Sequence, residues 1–174
     1  MKIHIVAMSG FLLLGAAAAG AQSINDAQIA SIVVTANQVD IDAGELAKRM
    51  ATHPEVKKFG EMMATDHTGV NKAAVDLAAK LKVTPEDNDT SRALEAGGEK
   101  NVAHLKTLKG AAFDKAYVDH EIAYHTQVLE AIDTTLVPNT KNAELKALLL
   151  KVRPAFVAHL ERAKQLQATL SKAK

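Results

Sequence analysis

Five side chains in this sequence have the types and positions needed to hold a metal ion: Asp40, His67, Glu121, His125 and His159. Glu121 and His125 are four residues apart, and on a helix that spacing projects both from one side. Asp40, His67 and His159 each interrupt an otherwise apolar helical stripe. Three imidazoles with one or two carboxylates form a nitrogen-and-oxygen donor set, which zinc, iron, manganese or copper accepts. Burying an unpaired carboxylate costs on the order of several kcal/mol. An ion or a complete hydrogen-bond network must therefore offset these residues if they lie in a core. The sequence has no cysteine, so any metal site is confined to His, Asp, Glu and Met.

A second reading needs no metal. His67 and His159 would then be neutral core histidines bonded to Asp40 or Glu121, with Arg153 turned toward a carboxylate. The chain would be a structural or interaction module. A b-type haem held by His and Met ranks last, since the lack of aromatic residues is no evidence for it, and Met62 and Met63 read as core filler and not as copper ligands. The remaining histidines are weaker candidates. His4 falls in a leader, His53 in a turn and His104 on a thin helix. His120 lies at the edge of a stripe and is expected to be exposed. Tyr117 and Tyr124 read as packing residues with a polar tip. Asp66 could orient His67, but helix neighbours point apart, so it is an outer partner at most. There is no glycine-rich phosphate loop, no cysteine nucleophile, no Ser-His-Asp arrangement and no His-Glu-x-x-His. No reaction is assigned, and whether the chain is an enzyme stays open.

The elements that must position these residues are helices. Alanine, leucine, lysine and glutamate are plentiful, and aromatic residues make up 3%. The first helix is expected over residues 24–51, capped by Asn25 or Asp26. Its stripe is Ile29, Val33, Ala36, Asp40, Ala43, Ala47 and Met50. Pro54 starts a second helix running to about Lys82, with Phe59, Met63, His67, Val70, Ala74, Leu77 and Leu81 inward. A loop over 83–89 leads to a weaker connector helix, capped by Thr90 or Ser91. It carries Gly97-Gly98 and ends near Lys109, with Gly110 as its C-cap. The fourth helix covers about 112–135, and Leu136 to Thr140 form a turn. The last helix runs over about 141–171, interrupted by Pro154 just over one turn before His159. Four long amphipathic helices joined by turns predict an all-α antiparallel bundle, with the short connector helix as an addition. The five candidate ligands fall near the midpoints of their helices. In an antiparallel bundle that puts them at one level.

Residues 1–21 read as a secretory signal peptide. Lys2 supplies the charged start, Phe11 to Ala19 the apolar run, and Ala19-Gly20-Ala21 the cleavage site. The run is too short for a comfortable membrane span, so no transmembrane anchor is expected after cleavage, and residues 22–174 form one domain. The protein is expected in the periplasm or otherwise exported. The whole chain has 21 Lys plus Arg against 20 Asp plus Glu. Losing Lys2 makes the mature chain neutral, which gives no footprint for nucleic acid. The sequence names no protein partner.

At these positions the chain resembles a bacterial family of unknown function whose members are often labelled as an outer membrane protein. The resemblance rests on Ala36-Asn37 with Asp40-Ile41, and on Val56-Lys-Lys-Phe59 leading to Met63-Ala-Thr-Asp66-His67. It continues in Phe113-Asp114 with Tyr117 and His125, and in Pro154 followed by His159-Leu160 and Ala163. It spans essentially the whole mature chain. It implies an exported ferritin-like helical domain, and it carries no settled activity. Asp40 stands where glutamate is typical, and Glu121 where glutamine is typical. True di-iron ferritins use two Glu-x-x-His motifs, and the mature chain has none. Iron storage and ferroxidase chemistry are therefore not implied. Binding of one transition metal, or protection of the envelope from stress, is the function expected.

Overall fold

The computed structural model describes residues 24–172, so the expected leader lies outside the described residues. Every regular element is helical, and there is no strand among the described residues. Five helices are long: α1 (Asp26–Met50), α2 (Pro54–Leu81), α3 (Asp89–Lys106), α4 (Gly110–Ala131) and α6 (Ala143–Lys172). Between the last two lie a π-helical segment, Ile132–Leu136, and a single turn, α5 (Val137–Asn139).

The ends of the helices follow local chemistry. Asn25 caps α1, its side chain accepting from the Gln28 amide at 2.8 Å while the Gln28 side chain accepts from the Asn25 amide at 3.1 Å. Asp26 does a different job. Its carboxylate accepts from the amides of Lys141 and Asn142, both at 2.8 Å, and ties α1 to the start of α6. His53 is the N-cap of α2, its Nδ1 accepting from the Glu55 amide at 3.2 Å. The connector helix is capped by Asn88 instead of Thr90 or Ser91.

The expected extents differ at two junctions. α3 ends at Lys106 because Thr107 and Leu108 bond three residues back, which tightens the chain out of the helix. Gly110 is accordingly the first residue of α4 and not a C-cap, and its φ of 58° is the left-handed turn that glycine supplies there. At its other end α4 leaves α geometry at Ile132, and the expected turn over Leu136 to Thr140 is helical as far as Asn139. Pro138 has no amide hydrogen to continue a ladder, and it occupies the first turn of a new helical piece, where none is needed.

α1 and α2 run antiparallel in the most extensive contact of the fold, and α4 pairs with α6 in the same way. α2 also meets α6, α1 meets α4, and α3 lies against α1 and α4. The α1–α2 approach depends on two facing glycines. A Cβ on Gly44 would sit 2.7 Å from the Gly60 carbonyl, and one on Gly60 would sit 2.9 Å from the Gly44 carbonyl. Gly98 admits Val39 in the same manner, with 2.6 Å to its Cγ2, so this glycine in the connector marks a close helix contact.

Two apolar clusters fill the interior. One contains Phe59, Met63, Phe113, Tyr117, Ala163 and Leu166. The other contains Ile29, Val33, Ala74, Ile132, Leu149 and Phe156. Along α1, α2 and α4 the candidate ligands fall between the residues of one cluster and those of the other. This polar level has apolar layers on both sides.

Candidate metal centre

All five expected ligands are buried: Asp40, His67, Glu121, His125 and His159 are each 3% exposed or less. The imidazoles of His67, His125 and His159 form a nearly equilateral triangle, with ring centroids 5.3, 5.4 and 5.5 Å apart. One nitrogen from each ring can be chosen so that all three lie within 4.8 Å of one another. Asp40, Glu121 and His125 form a second group of the same compactness, sharing His125 with the first.

Each ring is held from outside by one nitrogen. His67 Nδ1 lies 2.8 Å from Asn37 Oδ1, and the Asn37 amide nitrogen donates to the Val33 carbonyl at 2.7 Å. That orientation makes the Asn37 oxygen an acceptor and puts the His67 proton on Nδ1. His125 Nδ1 donates to the Glu121 carbonyl at 3.1 Å. His159 Nε2 donates to Asp66 Oδ2, 3.0 Å away on α2. The remaining nitrogens, His67 Nε2, His125 Nε2 and His159 Nδ1, are buried and have no hydrogen-bond partner among the described residues. With the outer nitrogens donating, these three carry lone pairs. Fixing the tautomer through the outer nitrogen is how metal-binding histidines are prepared.

The carboxylates are as exposed to the cost of burial as the rings. Both oxygens of Glu121 are buried without a hydrogen-bond partner among the described residues. Its Oε2 is 3.3 Å from His125 Nδ1, and Asp40 Oδ2 is 3.5 Å from His67 Nε2. Among the described residues no Lys or Arg pairs with either carboxylate. Burial holds the Asp40 carboxyl well above the usual carboxylate range, and the neighbouring Glu121 pushes the same way. Burial also drives His67 down to about 2, reinforced by His125 and His159. The His67–Asp40 contact is therefore not an ion pair. His159 is lowered by burial as well, partly opposed by Asp66. Tyr117, fully buried beside Glu121, has its hydroxyl raised by burial first and then by the two carboxylates. A cation at this level would offset the carboxylate charge, and two metal–nitrogen bonds of about 2.1 Å span at most about 4.2 Å. The residues fit a transition metal after small side-chain adjustments.

Two expectations are corrected. Asp66 partners His159 across the helix interface, because adjacent positions on α2 send His67 inward and Asp66 to the side. His120 is half-buried instead of exposed, with Nε2 enclosed and its ring stacked on Tyr124 at 5.7 Å. Burial lowers its pKa. Arg153 does turn to a carboxylate, gripping that of Asp133 through two bonds of 2.7 Å and not that of Asp40 or Glu121. Asn37, the partner of His67, was not singled out as a site residue. Its position one turn before Asp40 on the same face was the available signal. Tyr124 does more than pack, since its hydroxyl donates to the Ala36 carbonyl at 3.0 Å.

This arrangement is a buried, imidazole-rich helical site, and comparison with known proteins agrees in fold. A family model described as a domain of unknown function, DUF4142, matches residues 13–166, and the chain belongs to that family. Comparison with curated proteins finds no match. Among solved structures, the chain is similar to CopM in the Cu(II)-bound form, with a TM-score of 0.63 and 21% identity. The match covers 84% of this chain and 98% of that one. At that identity the likeness shows a shared helical fold.

Proposed function

We propose that this protein is an exported, ferritin-like antiparallel four-helix bundle that binds one transition metal ion in its core. The bundle consists of α1, α2, α4 and α6, and α3 is the added connector. His67, His125 and His159 are the nitrogen ligands, completed by Glu121 or Asp40. The observation that carries this reading is that three imidazoles, each anchored by one nitrogen and each with a buried nitrogen left without a partner, can bring one nitrogen apiece within 4.8 Å of one another. A hydrogen-bonded polar core explains the anchored side of each ring but leaves the three inner nitrogens and both Glu121 oxygens unused.

Copper is the preferred ion. Imidazole suits copper, and divalent copper binds nitrogen-and-oxygen sites more tightly than manganese, iron or zinc. The solved structure that shares the fold is a Cu(II)-bound form. Bound there, the metal supplies positive charge against Asp40 and Glu121. Asn37, the Glu121 carbonyl and Asp66 keep the three rings in the ligating tautomer, and the apolar clusters above and below exclude water. The role that follows is metal binding in the envelope or protection of the envelope from stress.

Titrating chelator-stripped protein with Cu(II), followed by calorimetry and electron paramagnetic resonance, tests this directly. The expected result is saturation at one ion per chain with nitrogen hyperfine structure. Loss of that signal is expected in His67→Ala. Weak, unsaturable binding identical in the parent and His67→Ala would overturn the proposal in favour of the hydrogen-bonded module.

A further inference from the structure

A concavity opens beside the proposed metal site, and the metal reading makes no use of it. It is an apolar cleft of about 280 Å³. Five long helices contribute to its wall: Val33 from α1, Val70 from α2, Leu94 from α3, Val128 from α4 and Val152 from α6. It lies between helices, partly enclosed and partly open to solvent. The π-helical segment completes the wall with Ile132, Thr135 and Leu136. Single π turns inside α-helical stretches recur at functional sites, and this one lines the pocket.

The polar groups of the wall define what it accepts. Asn37 is spent on His67 and on the Val33 carbonyl. The Tyr124 hydroxyl is spent on the Ala36 carbonyl. Thr90, Gln127 and Thr135 are exposed and sit at the rim. Among the described residues no charged side chain lines the pocket. An occupant therefore finds an apolar interior with no free hydrogen-bonding side chain and polar groups only at the entrance.

The geometry points to a binding site for one small, uncharged apolar molecule between α1, α4 and α6. An apolar cavity of about 150 Å³ holds benzene, so this volume corresponds to roughly ten to fourteen non-hydrogen atoms, such as two fused rings or a short acyl chain. The occupant would touch Asn37 and Phe156. Asn37 holds His67, and the Phe156 ring stacks on His67 with centroids 5.0 Å apart. Occupancy is thus felt at the imidazole triangle, although the pocket itself stands without a metal.

The test uses 1-aminonaphthalene, an uncharged two-ring fluorophore, with chelator-stripped protein, so the outcome does not depend on the metal reading. The expected result is a blue-shifted emission that saturates at one probe per chain. Ala131→Phe fills the pocket from α4, and affinity should fall at least about tenfold. Leu94→Trp narrows the pocket from α3, where this wall residue is only half-buried at the edge of the apolar cluster, and should do the same if Ala131→Phe fails to fold. Absence of saturable binding, or binding unchanged in a folded variant of either kind, would overturn the proposal. A dimer that dissociates as the probe binds would assign the pocket to a second copy of the chain and overturn it too.

Discussion

At the scale of single residues, the site is governed by which nitrogen of each ring is occupied. Asp66 shows this most simply. Its side chain is 47% exposed while that of His159 is 4%, so it reaches from the surface to hold a buried ring. Such outer partners typically affect metal affinity by about 10–100-fold. Asp66→Ala should weaken Cu(II) binding in that range while one ion per chain still binds, and an unchanged affinity would remove Asp66 from the account. Titration of the buried groups gives a second expectation. His67 has a folded pKa of about 2, against about 6.5 in the unfolded chain. Its contribution is present above pH 6.5 and is lost as pH falls through that value toward 2. Asp40 has the opposite sign. Its folded pKa is raised, so the unfolded chain releases this proton at lower pH, and stability declines as pH rises above about 4. In metal-free protein Asp40→Asn should therefore raise the melting temperature at pH 8, by an amount that shrinks toward pH 4. A lower melting temperature at pH 8 would contradict the burial argument. Residue types and their place in the stripes made all five core groups legible in the sequence. The partners Asn37 and Asp66 were harder to assign, because helix register leaves side-chain direction open by a fraction of a turn.

At the scale of elements, α1 and α2 set how close His67 comes to Asn37 and Asp40. Their glycines decide that distance. Gly44→Ala drives a methyl group to 2.7 Å from the Gly60 carbonyl, and the backbone there cannot rotate away. Alanine improves helix propensity by about 1 kcal/mol, yet overpacking costs about 1–3 kcal/mol. A net destabilisation follows, visible as a lower denaturant midpoint. Gly69→Ala, with nothing within 4 Å of its new methyl group, keeps only the propensity gain and should be stabilising. If both variants shifted the midpoint upward, the close crossing would be wrong. The extents of α1, α2 and α6 were readable to within a few residues from apolar periodicity and Pro54. The end of α4 was not. Periodicity distinguishes an α-helix from a strand, but it does not announce a π segment: Ile132 and Leu136 are both buried and four residues apart, a spacing that an α-helix would also place on one side. The glycines also escaped notice as packing sites, since a missing side chain leaves no mark in a hydrophobic stripe.

At the scale of the whole molecule, the antiparallel pairing of α1 with α2 and of α4 with α6 brings four helix midpoints to one level. Apolar clusters lie on both sides of that level. The all-helical architecture followed from composition and stripe length alone. The shared height of the ligands followed from their positions near mid-helix. Which nitrogen each ring presents required coordinates, because it depends on partners from other helices. No helix among the described residues is long and apolar enough to cross a membrane. Export rests on the leader read from residues 1–21, and an exported protein would meet metal in the envelope. The metal content of untagged protein purified from the envelope fraction bears most directly on the central claim. The account predicts close to one transition metal ion per chain, falling to trace levels in His67→Ala, His125→Ala and His159→Ala while the helical content stays the same. Substoichiometric metal that does not change across the three variants would contradict it.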